Sequence, residues 1–151
     1  VDVLGYVSRI NERELKSINT GQYAGTHFIG KIGIEKYFEN ILHGKVGNKK
    51  VEVNAAGHVI RVMKSEAPTS GNDLYLTIDL ALQQTAKKAL EGLKGAVVAI
   101  APQTGEVLAL ASNPAYDPNL FVNGIGYTDY NALRDDPNRP LYNRAIRGQY
   151  P

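Results

Sequence analysis

The sequence predicts an α+β fold in which antiparallel strand pairs are covered by short helices. Two apolar runs, at 95–101 and 106–111, are separated by a four-residue turn, which predicts a buried hairpin. Apolar side chains between residues 33 and 43 recur with helical spacing. A strand at 74–78 and a helix at 80–91 precede the hairpin, an order typical of an antiparallel layer rather than of a doubly wound sheet.

The composition is that of a folded domain and excludes several classes of protein. The chain has 151 residues, 43% of them hydrophobic and 21% charged, and no run approaches the ~18 apolar residues of a membrane span. It has 0 cysteines, which excludes disulfides, thiolate nucleophiles and cysteine-based zinc sites. The net charge of +2 is too weak for a nucleic-acid footprint, so no nucleic-acid partner is expected.

The first 26 residues combine a strand, a capped helix and a loop. Residues 3–10 predict a short strand, and residues 19–26 predict a loop. Asn11 is expected to cap a short polar helix that runs through Ile18, because an Asn side chain accepts hydrogen bonds from the free amides at a helix start.

A single helix is predicted over residues 33–43. Glu35 in its first turn and His43 in its last turn suit the helix dipole, and Gly44 is expected to end it. The apolar stripe that defines this helix consists of Ile34, Tyr37, Phe38, Ile41 and Leu42.

A hairpin and a linker are predicted next. Residues 51–63 alternate apolar and polar side chains about a turn at 54–57, which predicts two paired strands. Residues 65–72 are the one short stretch rich in Pro, Gly and Ser, and they coincide with a change in the sign of the local charge. We expect a linker or a domain boundary there.

The second half of the chain has clearer sequence patterns for secondary structure than the first half. Residues 74–78 alternate as a strand, and Asp79 is placed to cap the helix over 80–91. Because the two runs of the hairpin lack alternation, both of its faces are expected to be covered. After Ser112 the chain is broken by Asn-Pro and Asp-Pro steps, with one helical piece predicted over 127–134. A stretch with so little regular structure usually lines a site or packs over a larger body.

Neither histidines nor carboxylates complete a site. The three histidines are too far apart in sequence for a local metal motif: His27, His43 and His58. Asp129, Asp135 and Asp136 are expected in capping and turn roles, since adjacent residues do not face one another on a helix.

The serines and tyrosines do not identify a site either. Ser65, Ser70 and Ser112 do not lie in a Gly-x-Ser-x-Gly pattern, and none of them is followed by a lysine three residues later. The sequence therefore does not mark any of these serines as a nucleophile. Tyrosines interleaved with Asn and Arg near 116–150 either pack or form a stacking surface. We therefore expect no catalytic, cofactor-binding or metal-binding residue in this chain.

Several segments nonetheless resemble the class B penicillin-binding proteins. The resemblance covers essentially the whole chain, and the order of the segments is far more specific than any one of them. They are closest to the branch of the family that serves cell elongation in rod-shaped Gram-negative bacteria. The segments are 5–11, 30–37, 42–44, 102–110, 116–121 and 141–145.

The resemblance implies two parts and an activity. Residues 1–70 would be the end of the non-catalytic N-terminal pedestal, and residues 71–151 would be the opening strand, helix and β-hairpin of the transpeptidase domain. The whole protein would cross-link peptidoglycan stem peptides through a serine acyl-enzyme, in cell elongation and rod shape, and β-lactams would mimic its substrate. It would act at the periplasmic face of the bacterial inner membrane, held by an anchor outside this chain.

The resemblance also implies that the nucleophile lies beyond this chain. In the family a Tyr-Pro pair precedes the Ser-x-x-Lys motif, so the serine would fall about three residues after Pro151. The family's Ser-x-Asn and Lys-Thr-Gly elements would lie farther on. No cofactor is implied, and the chain by itself is expected to be inactive.

The alternative is that the chain acts as a non-catalytic interaction module. The family's pedestal is implied to meet rod-shape scaffold proteins and a membrane glycosyltransferase. The basic excess before residue 70 favours this hypothesis, and such binding is expected to depend on Lys49 and Lys50. Stem peptides and β-lactams are the partners implied for the whole enzyme.

Overall fold

A computed structural model describes residues 2–149 as three separate two-stranded antiparallel sheets joined by short helices. This arrangement confirms the predicted α+β class. No helix within that range has the length and apolar character needed to cross a bilayer. In chain order the elements are β1 (Tyr6–Arg9), α1 (Glu12–Leu15), β2 (Phe28–Ile32), α2 (Gly33–Tyr37), α3 (Glu39–Leu42), β3 (Asn48–Val53), β4 (Val59–Glu66), α4 (Leu80–Ala89), β5 (Gly95–Ile100), β6 (Val107–Asn113), a 3-10 turn (Pro118–Phe121), α5 (Tyr127–Asp135) and α6 (Arg144–Arg147).

α1 begins at a capping box, as predicted for Asn11. The Asn11 side chain accepts hydrogen bonds from two amides of the first turn, and the Glu14 carboxylate accepts one from the Asn11 N–H. Burial alone would raise the pKa of Glu14, but the Asn11 N–H and the Lys31 ammonium together lower it. The helix is shorter than expected and ends at Leu15.

β2 is a strand that sequence reasoning missed. It pairs antiparallel with β1, with Tyr6 opposite Ile32. Gly30 lies in its middle, where a Cβ atom would stand 2.2 Å from the Glu35 carbonyl oxygen. Glycine therefore lets the strand lie close to the backbone of α2, and the same glycine weakens the strand pattern in the sequence.

The single helix predicted for the next segment is wrong, because the structure has two short helices, α2 and α3. The chain leaves the helical conformation at Phe38, with φ −103° and ψ 19°. Glu39 then turns back toward the strand pair, and its carboxylate accepts hydrogen bonds from the Gly30 N–H at 2.8 Å and the Tyr23 hydroxyl at 2.9 Å. The apolar stripe is not buried as one face, since Tyr37 is 81% exposed.

β3 and β4 form the predicted hairpin and extend it at both ends. Asn54 closes the turn, because its side-chain oxygen accepts hydrogen bonds from the backbone of Ala56 and His58. Gly57 has a φ of +81°, a conformation that favours glycine. Every residue of β4 is exposed, so the hairpin stands away from the rest of the described chain.

The linker predicted over 65–72 is not a free connection. Its first two residues complete β4, and Thr69 pairs with Lys45 in an isolated antiparallel bridge. Gly71 lies so close to α3 that a Cβ atom there would stand 1.7 Å from the Leu42 carbonyl oxygen. These backbone contacts hold the segment in place.

The strand predicted over 74–78 is also wrong. The extended chain here reaches β6 through the Asp79 N–H, which donates to the Leu108 carbonyl, and the Thr77 hydroxyl, which donates to the Val107 carbonyl, both at 2.8 Å. A strand would need repeated backbone pairs, which alternation of side chains does not supply. Asp79 caps α4 as predicted, accepting a hydrogen bond from an amide of the first turn.

β5 and β6 form the predicted hairpin, closed by a turn at Gly105 with φ +77°. Within residues 2–149, Val98 is 45% and Ile100 is 55% exposed, so the two-sided coverage expected for the hairpin in the whole domain stays a prediction. α4 packs on β6, and the small core there consists of Ala86, Leu90, Ala109 and Ala111.

The outer edge of β6 is closed by groups that are not strands. Gln83 of α4 replaces a neighbouring strand: its amide oxygen accepts the Leu110 N–H and its amide nitrogen donates to the Leu110 carbonyl, both at 2.8 Å. Farther along, the Ser112 N–H donates to the Asp2 carboxylate at 3.2 Å. With the two bonds from the segment before α4, these contacts occupy the edge and prevent another strand from adding there.

The chain after β6 has more regular structure than predicted. The expected helical piece is present as α5, and the 3-10 turn precedes it. α6 was not predicted, because a four-residue helix is too short to carry an apolar stripe. Asn143 caps α6, which packs on β5 and β6.

Replacing Gln83 by alanine is expected to lower the free energy of unfolding by about 1–3 kcal/mol, because the Leu110 N–H and carbonyl lose their partners at a partly buried strand edge. Gln84→Ala, at the next and exposed position of α4, is the matched control, with an expected change below about 0.5 kcal/mol. Urea denaturation measures both. Equal midpoints for the two variants would contradict the role given to Gln83.

Candidate functional site at the junction of the two halves

The first half of the chain contacts the segment that follows β6. The Ser8 hydroxyl donates to the Phe121 carbonyl at 2.5 Å, and the Arg9 N–H donates to the Val122 carbonyl at 3.3 Å. The Tyr6 ring packs against the Phe121 ring with centroids 5.1 Å apart. Hydrogen bonds and an aromatic contact thus join β1 to the 3-10 turn.

A cavity of about 480 Å³ lies beside this contact. Its wall combines Asp2 and Tyr6 from the first half with Tyr116, Tyr130 and Asn143 from the second. Burial raises the pKa of Tyr116, and Tyr6 and Asp2 raise it further; burial and then Tyr130 raise the pKa of Tyr6. A tyrosine is protonated at neutral pH even without such a shift, so both phenols line the cavity with neutral hydroxyl groups.

Arg144 holds the loop that leads into α6. Its guanidinium donates to the carbonyls of Asn138 at 2.5 Å, Arg139 at 3.1 Å and Tyr142 at 3.4 Å. The Tyr142 ring centroid lies 5.9 Å from the guanidinium carbon, within cation–π distance. Arg139 has a φ of +50°, an uncommon conformation for a residue with a side chain, which the loop adopts as it folds around the cation.

Asn143 and Ser112 fix the start of α6. The Asn143 side-chain oxygen accepts the Ile146 N–H at 3.2 Å, and its amide nitrogen donates to the Asp2 carbonyl at 3.2 Å. The Arg144 N–H donates to the Ser112 hydroxyl at 3.0 Å. The start of α6 is therefore bonded to both halves of the chain.

The β3–β4 hairpin offers a second surface. Among the residues that the structure describes, its ion pairs join Glu52 to Arg61 and Lys64 to Glu66, which leaves the exposed Lys49 and Lys50 outside them. Beside these lysines, four valines are between 36% and 58% exposed: Val51, Val53, Val59 and Val62. The hairpin thus combines apolar area with net positive charge.

The histidines identified in the sequence do not come together. His27 lies just before β2, His43 stacks on Tyr23 with ring centroids 4.2 Å apart, and His58 is exposed at the hairpin turn. Burial and a hydrogen bond to a carboxylate raise the pKa of Tyr23 to about 12. In the part of the chain that the structure describes, no three His, Cys, Asp or Glu side chains are close enough to hold a metal ion.

The carboxylates lie at the ends of α5. Asp136 accepts the Asn138 N–H at 2.7 Å, the turn role predicted for it. Asp135 pairs with Arg134, whose guanidinium lowers the pKa of that carboxyl. Asp129 is in the first turn of the helix. Of the three carboxylates, Asp136 thus has the predicted turn role, Asp135 forms an exposed ion pair, and Asp129 lies near the positive end of the helix dipole.

The serines separate into two groups. Ser65 and Ser70 are exposed, whereas Ser112 is 4% exposed and lies at the junction. Sequence reasoning considered Ser112 only as a nucleophile, and it noted Arg144 only as part of the resembling segment 141–145, without a structural role. Their partners at the junction are backbone groups or an aspartate 110 residues away, so no local pattern could have indicated them.

Two family models match this chain in succession. The model of the penicillin-binding protein dimerisation domain matches residues 1–76, and the model of the penicillin-binding protein transpeptidase domain matches residues 95–151. The junction therefore joins residues from both matched regions.

Known proteins similar to the chain are cell-wall enzymes. It is 54% identical to the peptidoglycan D,D-transpeptidase MrdA of Acinetobacter baumannii, over 99% of this chain and 22% of that protein. The crystal structure of Pseudomonas aeruginosa PBP2 in complex with WCK 5153 matches with a TM-score of 0.83 and 49% identity, over 99% of this chain and 30% of that one. A complex of PBP2 with MreC from Helicobacter pylori matches with a TM-score of 0.83 and 38% identity, over 95% and 26%. The chain thus spans less than a third of each of these proteins.

Arg144→Lys is expected to lower the free energy of unfolding by about 1–3 kcal/mol, because a lysine ammonium cannot reproduce the planar fork that bonds three carbonyls. Arg147→Lys, in the same helix at an exposed position, is the matched control with little expected change. Thermal denaturation followed by circular dichroism compares the two. A loss in Arg144→Lys no larger than that in the control would show that the guanidinium does not hold the loop.

Proposed function

Because this chain belongs to the penicillin-binding proteins, we propose that it is part of a serine D,D-transpeptidase that cross-links peptidoglycan stem peptides in cell elongation. The supporting observation is the succession of dimerisation and transpeptidase matches on a chain 54% identical to a peptidoglycan D,D-transpeptidase. Residues 1–70 then belong to the pedestal, and residues 71–151 open the catalytic domain.

The chemistry is acyl transfer. The serine attacks the carbonyl carbon between the two D-alanines of a stem peptide, the terminal D-alanine leaves, and the acyl group passes to an amine of a neighbouring strand. A β-lactam mimics this substrate and leaves the serine acylated. The reaction needs a base for the serine proton and N–H donors for the oxyanion. We assign none of these roles to the 151 residues, since the nucleophile is expected about three residues after Pro151.

This chain contributes the start of the catalytic sheet. β6 is closed at its outer edge, whereas β5 pairs only with β6 among residues 2–149. Val98 and Ile100 of β5 are about half exposed. We expect later strands of the domain to pair with the free edge of β5, and the rest of the domain to cover these two side chains.

A fluorescent penicillin is expected to leave the 151-residue chain unlabelled and to acylate one serine of the full-length protein. The reason is that no serine in this chain is followed three residues later by lysine. Intact-mass spectrometry before and after incubation measures the adduct. A stoichiometric adduct on the 151-residue chain, or none on the full-length protein, would refute the assignment.

A second function, partner binding, is favoured by the surface of the β3–β4 hairpin. Exposed valines beside Lys49 and Lys50 suit a partner that presents apolar and acidic side chains. The Helicobacter structure is a complex of PBP2 with MreC, and this chain is 38% identical to the matched chain. We propose that residues 1–70 help to bind a rod-shape scaffold of this kind and a membrane glycosyltransferase at the periplasmic face of the inner membrane.

The double charge reversal Lys49→Glu with Lys50→Glu is expected to weaken binding of MreC from the same organism at least about tenfold, which corresponds to ~1.4 kcal/mol. The matched control reverses Lys87 and Lys88, an adjacent exposed pair on α4. Calorimetric titration of the full-length proteins measures the dissociation constants. If all three proteins bind equally well, the hairpin is not the binding surface.

A further inference from the structure

Ser112 joins three segments that are far apart in the sequence. It lies in β6 and is 4% exposed, the one buried polar residue among residues 2–149. Its N–H donates to the Asp2 carboxylate at 3.2 Å, and its hydroxyl oxygen accepts the Arg144 N–H at 3.0 Å. The N-terminal segment, the edge strand and α6 are therefore linked through this one residue.

Asn143 adds a second link between the N-terminal segment and α6. It donates to the Asp2 carbonyl at 3.2 Å while it caps α6 through the Ile146 N–H. α6 is thus held at its start by Asp2 and by Ser112. A helix of four residues has little stability of its own, so external bonds decide where it lies.

We propose that Ser112 is a positioning residue for the nucleophile, and that Asp2 allows the pedestal to set that position. The role rests on the proposed function, in which the serine follows α6 by a short stretch of chain. Without the Ser112 hydroxyl, the Arg144 N–H loses its acceptor and the start of α6 is no longer tied to β6. A displacement of about 1 Å at a reacting group can lower the reaction rate ~10²-fold. A smaller displacement of the serine, caused by movement of α6, is therefore expected to lower the rate by a measurable factor.

The test measures the second-order rate constant with which a fluorescent penicillin acylates the full-length protein. Ser112→Ala is expected to lower this rate constant about tenfold. Ser112→Thr retains a hydroxyl and is expected to keep most of the wild-type rate constant. Asp2→Ala removes the acceptor of the Ser112 N–H and is expected to act in the same direction as Ser112→Ala.

Hydrogen exchange separates positioning from a general loss of stability. The peptide over residues 143–149 is expected to exchange faster in Ser112→Ala than in the wild type, and Ser112→Thr is expected to restore slow exchange. Ser70→Ala, at an exposed serine away from the junction, is the matched control for acylation and exchange. A merely structural role would speed exchange along the whole chain and would leave acylation unchanged at temperatures well below melting.

Acylation of Ser112→Ala at the wild-type rate overturns the proposal, as does an equal loss in Ser112→Thr. If Ser112→Ala does not fold, the acylation rate constant of Asp2→Ala tests the proposal in its place. A wild-type rate constant then overturns the proposal, and a loss accompanied by faster exchange at 143–149 supports it. Absence of any acylation in the full-length wild type would instead refute the proposed function, and the positioning role with it.

Discussion

The outer edge of β6 is the constraint on which the described structure depends. The edge of a strand carries N–H and carbonyl groups that each need a partner. Here the partners come from three parts of the chain: Asp2 near the N-terminus, the segment before α4, and Gln83 within α4. Because one strand serves all three, a displacement of β6 would disturb the contact with Asp2, the packing of α4 and the start of α6 together.

Sequence reasoning predicted best the elements whose signals are local. Asn11 and Asp79 cap their helices, and Gly105 closes its hairpin, because each acts on amides or angles within a few residues of itself. The predictions of secondary structure were wrong where contacts with residues far away in the sequence determine the local conformation. The helix that breaks at Phe38 is followed by a glutamate that bonds β2, and the extended chain at 74–78 meets β6 through too few backbone pairs to form a strand.

The junction could not be predicted in the same way. The Ser112 hydroxyl and the Arg144 guanidinium bond backbone groups, which every residue carries, and the Ser112 N–H bonds an aspartate 110 residues away, so no local pattern marks these pairings. The longest of these links joins residues separated by 141 positions. The resemblance to a family predicted the activity and the order of the two parts because it depends on the succession of segments and not on any contact between them. It therefore gave no indication that the two parts are bonded at Asp2.

The free edge of β5 has a consequence for the order in which the protein is made. Synthesis runs from the N-terminus, so in the full-length protein proposed above, β5 exists before any strand that follows residue 151. During that interval β5 is paired with β6 on one side only, so its other edge is available to other unfinished chains, and contacts of this kind lead to aggregates. Correct assembly thus depends on timing: the later strands, or a chaperone that shields the edge, must reach β5 before a second nascent chain does.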